Sequence, residues 1–538
     1  MNHLILFGII VVYLAIIAFL SYRGYKQTRN SSDYLVAGRS IHPFVMAMSY
    51  GAAFISTSAI VGFGGVAAMF GMGLLWLPFM NIAIGVLVAF LFFGRRTRRI
   101  GHRLNARTFP EFIGERFGDG KLKILCGVII FLFMPLYSAV VLIGGARFLQ
   151  QTLEIPYQYA LYSFAIFIAV YVTIGGLKGV MYIDAMMGSI MFLGMIFLLV
   201  MTYISLGGIG EAHSALSAME PLVPEKLKAV GHAGWTRMPL FNSEWWWTLV
   251  SSLMLGVGIG ALAQPQLAVR FMTVRSGKQL NQAILVGSIF ILVTAGGAYA
   301  VGALSNVWFF RHPDFGVIAQ EAAGGNPDLI IPLYINHAMP KWFIYLFTIT
   351  LLSAAMSTLS SLYHVTGTSA GHDIYGNLCP QHRENVLVTR GAVLIGIVVS
   401  VLLGLALPDG IVARGTAIFF GVCAAAFLPT YCASIYWKRA TRAGVWSSII
   451  TGIVISLFGL LFLHRSESAP LGICQALFGK TELLSEFPWP FVDTIVYALP
   501  ISFAVLIAVS LFTRPPHETL LNTCFDGLDQ VNPPDNQE

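Results

Sequence analysis

The stretch SYGAAFISTSAIVGFGG, residues 49–65, is apolar enough for a membrane helix but carries features that interrupt one. Glycine recurs at Gly51, Gly62, Gly64 and Gly65, and three hydroxyl residues, 56–58, stand between them. Carriers built from inverted repeats bind their cargo at interrupted helices of this kind. The stretch therefore indicates a transport fold, although close helix packing at glycine explains it more simply when it is taken alone.

The composition places the whole chain in a lipid bilayer. Of its 538 residues, 57% are hydrophobic and 11% are charged, whereas soluble domains have about 25% charged residues. A membrane helix needs roughly 20 apolar residues. Uncharged runs of that length predict about thirteen spans: 4–22, 44–70, 73–94, 124–147, 157–175, 183–206, 244–268, 280–306, 342–370, 390–408, 415–437, 444–464 and 491–513. The first run is expected to be a helix that the protein retains.

A second interrupted span supports an internal repeat. The seventh run contains GVGIGALAQPQ, residues 256–266, in which three glycines precede Gln264 and Pro265. If the first helix is an extra one, each interrupted span leads a set of five helices, which favours a binding site over mere close packing. We therefore expect a single transmembrane domain, 1–513, with these parts: a leading helix 4–22, a first repeat 44–206, a second repeat 244–437, two trailing helices 444–513, and a cytoplasmic tail 514–538 that is expected to be disordered.

The basic residues predict the orientation. Most Lys and Arg, including a dense group in 95–123, fall in cytoplasmic loops if the N-terminus is outside and the C-terminus inside. The net charge of +7 is then an orientation signal and requires no nucleic acid. These features predict a multi-pass protein of the cell (inner) membrane, in contact with lipid and either monomeric or weakly oligomeric.

Several function classes are disfavoured. The six cysteines have no paired metal-site spacing, and no nucleophile set, phosphate loop or fused nucleotide-binding module is evident. An enzyme or an organic cofactor is therefore not expected. The energy for transport would come from an ion gradient.

The ninth run carries a stripe of hydroxyl groups in SAAMSTLSSLYH, residues 353–364. Ala354, Ser357, Thr358 and Ser361 share one helical face, and Ser360 lies one turn beyond Ser357. A hard cation such as sodium needs several oxygen ligands, and converging hydroxyls can supply them.

Backbone carbonyls freed near Ala52 and Ile55 in the second span would complete such a set of ligands. The alternative is that the hydroxyls bond back to their own helix or hold helices together. The sequence alone weighs these two explanations about equally.

Asp184 is a second candidate ligand. A carboxylate inside the bilayer costs roughly 3 kcal/mol and needs a partner or an ion. The alternative is a solvated carboxylate at a cytoplasmic helix start. Arg147 is interpreted as an interfacial anchor, and His364 as a packed histidine or a proton relay.

Six segments together resemble the sodium:solute symporter family, in the branch of the proline and pantothenate carriers. In order along most of the chain they are YLVAGRS (34–40), TFPEFIGERFG (108–118), YSAVVLIGGARFL (137–149), GGLKGVMYID (175–184), AQPQLAVRFM (263–272) and AAMSTLSS (354–361). The resemblance implies an all-α, LeuT-like 5+5 inverted-repeat fold with thirteen spans and alternating access driven by sodium.

The resemblance also implies site residues. The family's common sodium site maps onto the carbonyls of Ala52, Ile55 and Ala354 and the hydroxyls of Ser357 and Thr358. A possible second sodium maps onto Asp184, Ser360 and Ser361. The expected neighbours of the solute are Thr57, Ser58, Ala59, Tyr137, Val257 and Ala261.

The chain departs from the family pattern at five positions. Tyr182, Ile183 and Met187 stand where a Trp-like residue, Thr and Gln are usual. Val257 and Ala261 replace aromatic residues of proline carriers, which argues against proline itself. We expect sodium-coupled symport of a small organic solute, by analogy a carboxylate such as an amino acid, a monocarboxylate or a pantothenate-like acid.

Two alternatives remain at this point. One is a proton-coupled symporter of the same fold that uses Asp184 or His364. The other, less favoured, is a sensor or channel in which the interrupted helices bind a solute without transporting it.

Overall fold

The structure, a computed structural model, describes residues 3–27, 35–39, 41–174, 177–274, 276–379 and 386–526. All regular secondary structure of these residues is helical. The first fourteen α-helices are α1 (His3–Gln27), α2 (Pro43–Phe54), α3 (Phe63–Phe70), α4 (Trp76–Met80), α5 (Arg95–Arg103), α6 (Phe109–Phe117), α7 (Gly120–Leu153), α8 (Tyr157–Ile174), α9 (Leu177–Ser205), α10 (Ile209–Ala218), α11 (Glu225–Ala229), α12 (Glu244–Trp247), α13 (Val257–Gly260) and α14 (Pro265–Phe271).

The other α-helices of the described residues follow in chain order. They are α15 (Gly277–Ile291), α16 (Gly297–Arg311), α17 (Ala319–Ala322), α18 (Ile330–Ala338), α19 (Lys341–Thr368), α20 (Gly376–Leu378), α21 (Val386–Ala406), α22 (Ile411–Tyr436), α23 (Arg442–Phe462), α24 (Arg465–Leu471), α25 (Ile473–Phe478), α26 (Ile495–Phe512) and α27 (Glu518–Phe525).

Wider and tighter helical turns join several of these helices. The wide, π-type segments are Ser58–Gly62, Asn81–Gly94, Thr248–Gly256, Leu292–Gly296 and Ser369–Tyr375. The tight, 3₁₀ segments are Ala37–Arg39, Gly71–Leu75, Glu220–Leu222, Ala261–Ala263, Pro327–Leu329 and Trp489–Phe491.

Polar caps fix where several helices begin. Thr108 Oγ1 accepts a hydrogen bond from the N–H of Glu111 at the start of α6, and Asp119 caps α7 through the N–H of Lys121. Such side chains satisfy amide groups that have no partner within the helix. The two caps lie at either end of the largely buried helix α6, and Asp119 thereby sets the point at which α7 begins.

Eleven helical segments are long and apolar enough to cross a membrane, and two shorter apolar helices, Pro43–Phe54 and Tyr157–Val170, accompany them. Each of the thirteen predicted runs falls on helical structure, while the exact number of spans remains a prediction. The most hydrophobic part of α22 is 89% buried and that of α19 is 83% buried, against 22% for α1. Helices α22 and α19 therefore form the centre of the molecule, and α1 lies at its edge.

Two glycine contacts hold α3 in place. A Cβ atom at Gly65 would lie 1.9 Å from the carbonyl oxygen of Pro327, and one at Gly302 would lie 2.0 Å from that of Gly64. Real Cβ atoms do not approach an oxygen so closely. Backbone therefore packs directly on backbone at both contacts, which fixes α3 between α16 and the segment Pro327–Leu329.

The tail beyond residue 513 corrects one expectation. We expected 514–538 to be disordered, but α27 forms within it, and residues 527–538 lie outside the described part of the chain. Phe525 is buried, and its ring lies under the guanidinium of Arg116, 4.7 Å from Cζ to the ring centroid. Burial of an apolar side chain and a cation–π contact together order this segment.

Candidate functional site

The first part of the site is the break between α2 and α3. The α-helix ends at Phe54, and Ile55 takes an extended conformation with φ −90° and ψ 105°. The N–H of Ala59, which would bond the Ile55 carbonyl in a continuous helix, bonds the carbonyl of Ser56 instead, at 3.0 Å. The break thus withdraws a helical donor from Ile55.

The hydroxyl stripe of α19 meets this break. Ser357 Oγ donates to the carbonyl of Ala52 at 2.9 Å and approaches that of Ala354 at 3.2 Å. Thr358 Oγ1 lies 3.3 Å from the carbonyls of both Ala52 and Ala53. All these residues are buried. Carbonyl and hydroxyl oxygens therefore converge between two helices far apart in sequence.

Four of the five residues predicted for the common sodium site are joined by these contacts. Ile55 follows Ala52 by three residues in the chain, but none of the hydrogen bonds of the described residues links Ile55 to the hydroxyl stripe of α19. The carbonyl of Ala53 was not foreseen. Its neighbour Ala52 was the only available signal, since a broken helix turn exposes consecutive carbonyls.

The second interrupted span breaks in the predicted place. A tight turn ends at Ala263, Gln264 is extended with ψ 116°, and Pro265 begins α14. The Gln264 side chain donates to the carbonyl of Gly260 at 3.3 Å and accepts from the amide of Gln266 at 3.1 Å. Side chains therefore replace part of the hydrogen bonding that the proline interrupts.

Asp184 lies in α9 at the centre of a polar cluster. Its Oδ2 accepts hydrogen bonds from Ser49 Oγ and from Arg270 Nη2, each at 3.0 Å. Its Oδ1 lies 3.4 Å from Ser360 Oγ, and Ser361 Oγ accepts from the same Arg270 nitrogen at 2.7 Å. The three residues predicted for a second sodium are thus brought together, but around a guanidinium group.

Burial excludes the solvated alternative for Asp184. Its side chain has 0% exposure and that of Arg270 has 1%, so the carboxylate is not at a wet helix start. We did not foresee Arg270, because the seventh run was predicted to end at 268. The sequence does contain a signal for Arg270, because it is a charged residue within the apolar segment AQPQLAVRFM. A charge inside an apolar fold requires a partner.

Three of the residues predicted to contact the solute, Thr57, Ser58 and Ala59, directly follow the break at Ile55. Thr57 Oγ1 donates to the carbonyl of Val141 at 2.7 Å. Ser58 Oγ is buried and has no hydrogen-bond partner among the described residues. Ala59, which follows, is also buried. An unpartnered buried hydroxyl is costly, and a solute that bonded to it would remove that cost.

Aromatic rings form the other side of this region. The ring of Tyr137 stacks on Phe419 with centroids 5.0 Å apart and meets the edge of Phe420 at 5.4 Å. The two phenylalanines were not foreseen, since they stand in an apolar run that looks like ordinary core. Val257 and Ala261 are buried, and Ala261 packs toward Gly85 of the third span.

The segment Pro327–Leu329 carries a buried acid close to this region. Burial raises the pKa of Asp328 to about 7, against the hydrogen bonds that it accepts from the backbone N–H groups of Val412 and Gly410. Those groups mark the start of α22. Arg147, predicted as an anchor, pairs nearby with Asp409, and its guanidinium lies 4.1 Å from the ring of Tyr157.

Comparison with known proteins decides the family. The profile of the Sodium:solute symporter family matches residues 34–452. The chain belongs to this family. Sodium/proline symporter 2 of Staphylococcus saprophyticus is 28% identical over 488 residues, which are 89% of each chain. The sodium/proline symporter of Escherichia coli K12 is 28% identical over 472 residues, 86% of this chain and 89% of the relative.

Solved structures agree with the fold of this family member. A Na⁺-coupled sialic acid symporter, in a substrate-bound outward-open state, matches with a TM-score of 0.73 at 17% identity, over 95% of this chain and 98% of the other. A nucleobase-cation-symport-1 family transporter matches with a TM-score of 0.51 at 13% identity, over 92% and 99%. The predicted LeuT-like class of all-helical fold is therefore confirmed. The family match and the eleven apolar helical segments show that this is a multi-pass protein of the inner membrane.

Proposed function

We propose that this protein is a sodium-coupled symporter that carries a small organic solute, a carboxylate of the amino-acid type, by alternating access. The observation that carries the proposal is the meeting of the α19 hydroxyls with the Ala52 carbonyl at the α2–α3 break. These are hard oxygen ligands of the kind that alkali cations need. The ligands proposed for sodium are Ala52, Ile55, Ala354, Ser357 and Thr358.

The chemistry around the break favours a carboxylate. The helical segment that begins at Ser58 presents its N-terminus to the region, where its dipole attracts negative charge. The hydroxyl of Ser58, which has no partner within the described part of the chain, can donate one hydrogen bond. Tyr137, Phe419 and Phe420 supply apolar ring surface for the rest of the solute. These features support a solute with one anionic end and an apolar body.

Coupling between ion and solute follows from shared structure. Ala52 and Ser58 lie on either side of one break, so an ion that orders the carbonyls also fixes the start of the segment that faces the solute. Each ligand then raises the affinity for the other, since linkage between two sites is reciprocal.

Uptake by reconstituted vesicles tests the proposal. We expect Ser357→Ala and Thr358→Ala each to raise the sodium concentration for half-maximal uptake about tenfold, equivalent to a loss of about 1.4 kcal/mol. Ser353→Ala is the matched control, because its hydroxyl lies on the same helix but contacts Tyr13, at 2.7 Å.

Three outcomes would count against the proposal. Unchanged sodium dependence in both variants would remove these hydroxyls from the ion site. Uptake driven by a pH gradient without sodium would favour the proton-coupled alternative. Solute binding without accumulation would indicate a sensor or a channel. A panel of radiolabelled amino acids and monocarboxylates would identify the solute class in the same assay.

A further inference from the structure

Arg270 occupies the position where a second cation was expected. Asp184, Ser360 and Ser361 are arranged as hard ligands around one point, and the Nη2 group of Arg270 bonds both Asp184, at 3.0 Å, and Ser361, at 2.7 Å. The guanidinium thus contacts two of the three residues predicted to bind a second sodium ion, Asp184 and Ser361.

The remaining hydrogen bonds hold this guanidinium in one place. Its Nε donates to Ser49 Oγ at 3.1 Å, and its Nη1 donates to the carbonyl of Gln266 at 2.6 Å. Ser49 Oγ in turn donates to Asp184. A planar guanidinium with donors engaged on each nitrogen is fixed in orientation, unlike a flexible ammonium group.

The surrounding oxygens are also already engaged. Ser360 and Ser361 both donate to the carbonyl of Ser357 at 3.0 Å, while Ser361 accepts from Arg270. The carboxylate of Asp184 is neutralised by the buried guanidinium of Arg270 beside it. A sodium ion at this point would meet a like charge in a medium that screens little.

We propose that Arg270 acts as a built-in cation at this position, so that the carrier binds one sodium ion per cycle. The inference rests on the proposed sodium-coupled function. The guanidinium of Arg270 neutralises Asp184 and donates a hydrogen bond to Ser361, which lies one helical turn from Ser357 of the proposed sodium site.

Counting bound sodium tests this directly, without transport. Equilibrium binding of radioactive sodium to the purified full-length protein in detergent is expected to saturate at one ion per chain. In the double variant Asp184→Asn, Arg270→Gln, which removes both charges and keeps hydrogen-bonding groups, we expect one ion still, with an affinity within about threefold of the wild type.

The possible results separate the two proposals. If the wild type binds two sodium ions per chain and the double variant binds one, the proposed role of Arg270 is wrong. Sodium coupling itself would remain supported. No bound sodium on the wild type would overturn both. If the double variant does not fold, the number of sodium ions bound by the wild type decides the question. A reversal potential measured in vesicles gives a second reading of one or two ions per solute.

Discussion

At the scale of single residues, two serines of the same helix have different kinds of partner. Ser357 and Ser361 lie one turn apart on α19, yet one faces a backbone carbonyl of α2 and the other a guanidinium of α14. The two serines are chemically identical, so the difference between their sites comes from the groups that they contact. A stripe of similar hydroxyls therefore divides into a part proposed for a mobile ion and a part that binds a fixed charge.

Gly65 gives a test at the same scale. We expect Gly65→Ala to lower the apparent melting temperature strongly and to abolish uptake, because its Cβ would lie 1.9 Å from the Pro327 carbonyl oxygen and one backbone must move away. Gly391→Ala is the control, since a Cβ there meets nothing within 4 Å. Thermal unfolding of both variants in detergent measures the difference. Equal melting temperatures would show that α3 is not packed on the segment Pro327–Leu329.

The helix α6 is fastened by a buried ionic cluster. Glu111 Oε1 lies 3.1 Å from both Lys123 Nζ and His372 Nε2, and Thr108 donates to Asp373 at 2.6 Å. Burial would raise the pKa of Glu111, but the hydrogen bond and charge of His372 and the charge of Lys123 hold it well below its usual range. The cluster joins α6 to α7 and to the end of the ninth span.

This cluster makes stability depend on pH in a known direction. Because the folded pKa of Glu111 is depressed, its contribution is complete above the unfolded pKa of about 4.3 and is lost as the pH falls below it. We expect Glu111→Gln to melt several degrees lower than the wild type at pH 7, with the gap closing toward pH 3. Thermal unfolding from pH 3 to pH 7 measures this. A gap that stays constant would mean that the charge of Glu111 is not what stabilises the cluster.

The sequence predicted whole elements better than contacts between them. Apolar runs located the helices, and glycines with Pro265 located both breaks, because these features act locally. Phe419 and Phe420 were missed because an apolar residue has the same signature in a core as beside a solute. Arg270 was missed because its partner, Asp184, is 86 positions away, and no local pattern contains that pairing.

The energy available to the whole molecule follows from its ion count. One cation crossing 100 mV releases about 2.3 kcal/mol, and a tenfold sodium gradient adds about 1.4 kcal/mol. Their sum corresponds to an accumulation of several hundredfold for a zwitterion. An anion would lose the electrical part, since its charge cancels that of the ion. The proposed binding of one ion per cycle therefore favours an amino acid over a simple monocarboxylate as the solute.

Orientation can be tested on the whole molecule in intact cells. With the N-terminus outside, a cysteine replacing Glu225 in α11 should react with a membrane-impermeant maleimide, and one replacing Glu518 in α27 should not. Both side chains are exposed, so access depends on the side of the membrane and not on burial. The parent protein without a new cysteine gives the background, and permeabilised cells give the positive control for Glu518. Reversed labelling would invert the predicted topology.

The glycine contacts of α3 restrict how this carrier can evolve. Where backbone lies on backbone, as at Gly65 with Pro327 and at Gly302 with Gly64, there is no side chain whose gradual enlargement or trimming could adjust the fit. Natural variation that alters the speed of the transport cycle must then accumulate around α3 and not within these contacts.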